Sequence, residues 1–127
     1  MSPTSRSALL GNTLEGAEAP PPALERQEGV WRVLPIEGAF EITYQDVGGA
    51  RTYRRVRARE LKIGPGRVLL GGLDVERDGY RGFRADRIGR LTDAETRVTV
   101  ERNIVDWLMK RAERTLRERR AEQKRAA

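Results

Sequence analysis

From Val30 onward, apolar and polar positions follow two different periods along the chain. Phe40-Glu41-Ile42-Thr43-Tyr44-Gln45 alternates, which predicts a half-buried strand with Phe40, Ile42 and Tyr44 on its inner face. Before it, Val30 to Leu34 reads as a shorter strand or packing segment closed by Pro35. Asp46-Val47-Gly48-Gly49-Ala50 supplies a turn. Thr52 to Leu61 reads as the return strand, with Val56 and Ala58 on one face and Arg55, Arg57 and Arg59 on the other. Gly64-Pro65-Gly66 is a second turn and Val68-Leu69-Leu70 a short apolar strand, while Gly71-Gly72 permits a bend or a close backbone approach. After a third turn at Asp78-Gly79, Tyr80 to Ala85 forms the next strand, and Ile88 and Leu91 tuck under it. Short strands at roughly ten-residue spacing predict a mainly β fold, a small antiparallel barrel or sandwich.

The last third changes period. Val100, Ile104, Val105, Leu108, Met109, Ala112 and Leu116 recur at helical spacing and make one apolar stripe, with Trp107 at its edge. Thr99 is a plausible N-cap, and Arg102, Lys110, Arg114 and Arg117 line the outer face. Beyond Leu116 the chain is polar, so the helix is expected to fray there. The stripe either packs on the β domain or serves a homodimer or a partner protein through residues 100–116. Residues 1–29 read as a disordered Pro/Gly-rich leader around Pro20-Pro21-Pro22, because they offer too little apolar surface to offset ordering entropy. Three segments result: a leader over 1–29, a β domain over 30–98, and a C-terminal amphipathic α-helix with a frayed basic tail over 99–127.

Composition narrows the chemistry. The chain has neither cysteine nor histidine, so a disulfide framework, a thiolate metal site and a histidine general base are all excluded. No metal site, no cofactor and no catalysis are expected. Asp74, Glu76 and Asp78 lack the spacing of a calcium loop. Gly64-Pro65-Gly66-Arg67 lacks the Lys-Ser/Thr of a phosphate-cradling loop. No apolar run is long enough to span a membrane, and a cytoplasmic location is the default.

The net charge of +6 is unevenly spread: residues 1–50 carry −4 and residues 51–90 carry +7. An anionic partner is therefore favoured, although an arginine-rich composition also reflects a GC-rich genome. The densest basic stretch is Tyr80-Arg81-Gly82-Phe83-Arg84-Ala85-Asp86-Arg87-Ile88. Guanidinium groups grip phosphate bidentately. Arg81 and Arg87 share the parity of Phe83 and Arg84 does not, so a flat strand cannot aim all three at one ligand. The strand must end near Ala85, or break at Gly82, if they converge. The competing outcome is pairing of Arg84 or Arg87 with Asp86, Asp74 or Asp78. Arg51, Arg54, Arg55, Arg57 and Arg59 form a second basic patch, in which Arg55, Arg57 and Arg59 share one strand face. Tyr44, Tyr53, Tyr80 and Phe83 are candidates for stacking on bases, Phe83 being also a core candidate.

The order of these segments resembles the WYL domain, a bacterial ligand-sensing module with an Sm/SH3-like barrel. The resemblance covers roughly residues 38–92. It rests on Ile42-Thr43-Tyr44, on Arg54-Arg55-Val56-Arg57-Ala58-Arg59-Glu60-Leu61, and above all on Arg81-Gly82-Phe83-Arg84-Ala85-Asp86-Arg87-Ile88. The tripeptide that names the family falls on Val68-Leu69-Leu70, without its Trp and Tyr, and a usual proline falls on Ala58. Family members are mostly transcription regulators with a preceding helix-turn-helix, for which residues 1–37 offer no amphipathic pattern. The resemblance implies a module that binds single-stranded nucleic acid or a nucleotide. Its basic pocket carries over to Arg81, Arg84 and Arg87, with Arg54 and Tyr44 as neighbours. The rival expectation is a structural or oligomerisation protein that uses the C-terminal helix.

Overall fold

The computed structural model describes residues 24–126. The expected leader lies outside the described residues up to position 23, but its end does not. Arg26–Glu28 form a strand, β1, paired antiparallel with the start of the next strand. There follow β2 (Trp31–Gln45), β3 (Arg51–Gly64), β4 (Arg67–Asp74) and β5 (Gly79–Arg84). A single 3-10 turn, Ala85–Arg87, leads into β6 (Ile88–Asp93) and β7 (Thr99–Val100), and α1 (Ile104–Ala126) ends the chain.

The strands form one antiparallel sheet in the order β5-β4-β3-β2-β6-β7, with β1 beside β2. The mainly β architecture is as the alternation predicts. The sheet is not closed into a barrel, since no backbone pairing joins β5 to β6. It is nonetheless forced to curl. β5 and β6 stand four strand-steps apart, about 19 Å across a flat sheet. The link from Arg84 to Ile88 spans at most about 14 Å even when extended. Irregular pairing marks where the long strands bend: β2 shifts register against β3 between Pro35 and Gly38, and β3 against β4 between Ala58 and Glu60. Gly72 sits at the second bend, where an added Cβ would stand 2.3 Å from the Arg57 carbonyl oxygen. Side chains bridge the open seam in place of a ladder. The Tyr44 ring packs edge-on against Phe83 at 5.1 Å, and the Tyr44 hydroxyl accepts the Arg84 backbone N–H at 3.0 Å.

Leu34, Ile36, Phe40, Ile42, Val56, Leu61, Leu70, Phe83 and Leu91 fill the inside of the curl. The helix begins later than expected. Thr99 does not cap it; Thr99 and Val100 pair with Thr92 and Leu91, which suits β-branched residues. Asn103 then turns the chain with φ 54°, and its carbonyl accepts the first helical N–H, from Trp107. The helix also runs past Leu116 to Ala126. Arg, Glu, Lys, Gln and Ala are strong helix formers, and Arg114–Glu118 adds an i,i+4 pair at 3.7 Å. Its apolar stripe is covered by the same chain: α1 lies chiefly on β2, with Leu108 and Ala112 fully buried.

A polar cluster pins this helix. Arg111 is buried and its Nη1 donates to Asp93 Oδ2 at 2.6 Å, while its Nε donates to the Glu37 carbonyl at 3.2 Å. The guanidinium lies against the rings of Phe40 and Trp107, 5.3 and 5.4 Å from their centroids. Gly38 makes room for it, because a Cβ there would meet the guanidinium at 2.8 Å. Thr115 completes the join: its Oγ1 accepts the Glu37 N–H at 3.3 Å. Burial pushes the Asp93 carboxyl up. The Arg111 hydrogen bond and charge, with the Glu95 and Thr96 amides, outweigh this and hold it below the usual carboxylate range.

Arg111→Ala leaves that carboxylate buried without its partner, and should lower stability by about 3–5 kcal/mol in urea unfolding. The depressed folded pKa also sets a pH window. The contribution is complete above the unfolded carboxyl value of about 3.9 and is lost as pH falls through the folded value. Acid titration should therefore cost the wild type more stability below about pH 4 than it costs Asp93→Asn.

Candidate anion-binding site

The hairpin from β2 to β3 and the entry to β6 meet beside the open seam. Asp46 closes the hairpin, its carboxylate accepting the Ala50 N–H at 2.9 Å. β6 pairs with β2 through Thr43↔Arg90 and Tyr44↔Ile88, which leaves Gly89 as an extra, bulged residue. No side chain rises from that bulge, and the Thr43 hydroxyl lies 3.3 Å from where a Cβ would stand. The result is a hollow of about 330 Å³ around Thr43, Tyr44, Arg51, Arg87, Gly89 and Arg90, with Asp86 and Glu101 on its wall.

The 3-10 turn does what the parity argument required. The strand ends at Arg84 and breaks period, so Arg87 swings to the hollow, where its Nη1 donates to the Asp46 carbonyl at 3.0 Å. The three expected arginines still do not meet. Arg84 is bound to Asp86 through two hydrogen bonds, of 3.1 and 2.9 Å. Hydrogen bonding and charge within this pair lower the Asp86 carboxyl and raise the Arg84 guanidinium. The pair is largely exposed, so solvent screens it and it adds little to stability. Arg81 is exposed on β5 and does not line the hollow.

Arg54 does not serve the site. It points inward and pairs with the fully buried Asp74 at 2.7 Å, its guanidinium 5.9 Å from the Phe83 ring. The sequence places it on the face opposite Arg55, and that face is the core. Tyr44 lines the hollow but its hydroxyl is committed to Arg84 and its ring to Phe83. In the second patch, Arg55 is paired with Glu76, Arg57 is exposed, and Arg59 is half-buried. Asp74 and Glu76 are thereby each paired with an arginine.

The charge balance of the hollow turns on two residues. Arg90 is paired with Glu101 at 2.7 Å and Asp86 with Arg84. Arg51 and Arg87 have no carboxylate within ion-pair distance among the described residues. Arg51 belongs to the basic run legible in the sequence; Arg90 and the bulge at Gly89 were not singled out. The only hint of the latter is a glycine set between Ile88 and Arg90 at the strand entry. Comparison with protein-family models, curated proteins and solved structures finds no match to this chain.

Because Arg54 is structural, Arg54→Ala should strand the Asp74 carboxylate in the core. A loss of about 3–5 kcal/mol in urea or thermal unfolding is expected. Arg84→Ala, which removes only an exposed, solvent-screened pair, should unfold at close to the wild-type urea midpoint.

Proposed function

We propose that this chain is a ligand-sensing or regulatory module that binds a phosphate-bearing, nucleic-acid-type anion, single-stranded DNA or RNA or a nucleotide. One observation carries the reading: Arg51 and Arg87 flank a concave hollow and lack carboxylate partners, while the neighbouring arginines are neutralised. Two guanidinium groups around a hollow suit a phosphate, which each grips with a planar fork. The Gly89 bulge lets an anion approach the backbone. The net charge of +7 over residues 51–90 adds long-range attraction.

The wider family reading is a WYL-like module of the small-barrel type. It is supported by the curl of β2 to β5 and the one-turn link that returns β6 beside β2. Within that reading the binding residues shift from the five named by the motif to Arg51 and Arg87, with Tyr44 shaping the wall. Regulation rather than turnover is the reading we favour, because the two carboxylates on the wall, Asp86 and Glu101, are each paired with an arginine.

Fluorescence anisotropy with a labelled short single-stranded DNA tests this. Binding should weaken with salt at a log–log slope of about −0.7 per phosphate engaged. Arg51→Ala and Arg87→Ala should each cost about tenfold or more in affinity, as expected for a charge-assisted contact. Arg81→Ala should bind like wild type. Undiminished affinity in the Arg51→Ala/Arg87→Ala double variant would defeat the proposal.

A further inference from the structure

Four aromatic side chains are candidates for contact with a base, and the fold separates them. Phe83 is buried and Tyr44 is packed on it. Tyr80 sits on β5 opposite Leu73, with its hydroxyl donated to Glu60, away from the hollow. Tyr53 is different: it is 59% exposed on β3, and no other ring packs on it among the described residues.

Its position follows from register. Tyr53 is the direct partner of Thr43, and Thr43 is the direct partner of Arg90. Residues opposite one another share a face. Tyr53 therefore stands in one cross-strand row with two residues that line the hollow. Arg51 is two residues back along the same strand and on the same face, about 7 Å away. That interval matches the reach from a nucleotide's phosphate to its base. Partial burial and the nearby Glu41 carboxylate raise the Tyr53 hydroxyl pKa, so the ring stays neutral at physiological pH.

We infer that Tyr53 is the stacking platform of the site, so that the ligand is a phosphate carrying an unpaired nucleobase rather than a phosphate group alone. The inference rests on the reading of the hollow as a phosphate site. An exposed phenol near two guanidinium groups that lack carboxylate partners among the described residues is the combination that single-stranded nucleic acids use: charge along the backbone and a flat apolar face for the base. A base paired within a duplex keeps its faces stacked in the helix and cannot use that platform.

The test compares two oligonucleotides of equal length and charge, one of thymidines and one of abasic sites, by anisotropy at fixed salt. Wild type should prefer the thymidine strand by about tenfold. Tyr53→Ala should bind both strands equally, at the wild-type affinity for the abasic strand. Tyr53→Phe, which keeps the ring, should retain the preference. Circular dichroism should show all three proteins equally folded, because Tyr53 is outside the core. Equal wild-type affinity for the two strands, or a preference that survives in Tyr53→Ala, would overturn the stacking role while leaving the phosphate site standing. Binding of neither strand by wild type would overturn both.

Discussion

The helix, the bend in β2 and the end of β6 are held together by one buried guanidinium. Arg111 reaches Asp93 at the end of β6 and the Glu37 carbonyl at the β2 irregularity, and it lies against Phe40 and Trp107. Burying a charge is costly unless it is paired and its hydrogens are used. Here the carboxylate, a backbone carbonyl and two aromatic faces share that task. The geometry also constrains the sequence around it: Gly38 must lack a side chain, and Thr115 must bridge to Glu37. The apolar stripe supplies burial without directional bonds. The ion pair adds directional contacts from α1 to β6 and to the β2 bend.

The second buried pair, Arg54 with Asp74, has a related place inside the curl. It ties β3 to the end of β4 beside Phe83. One Asp74 oxygen lacks a partner, so this pair is less fully satisfied than the first. Together the two pairs change how the basic composition is to be understood. Several arginines of a +6 chain are structural or neutralised on the surface, and of the arginines lining the hollow Arg51 and Arg87 have no carboxylate within ion-pair distance among the described residues.

The hollow itself is a by-product of how an open sheet is forced round. The short link between β5 and β6 brings Arg87 to the end of the β2–β3 hairpin. The bulge at Gly89 absorbs the resulting misfit in register with β2. The same bulge removes a side chain from the floor. Curvature and the shape of the hollow thus have one cause, and strand pairing sets Tyr53 in the same cross-strand row as Thr43 and Arg90.

Much of this was open to reading along the chain. Alternation over Phe40–Gln45 and Thr52–Leu61, glycine-rich turns and the helical stripe determined a mainly β fold with a C-terminal helix, because burial of one face imposes a period on local sequence. An end to the strand near Ala85 was legible only as the condition for three arginines to converge, and it occurs without their meeting. The partner of each arginine was not legible. Arg54 and Arg55 are adjacent and alike in chemistry, yet one is in the core with Asp74 and the other on the surface with Glu76. Arg84 and Arg87 are three residues apart, yet one is neutralised and the other faces the hollow. Strand register and sheet curvature decide such pairings, and both arise from contacts between residues distant in the chain.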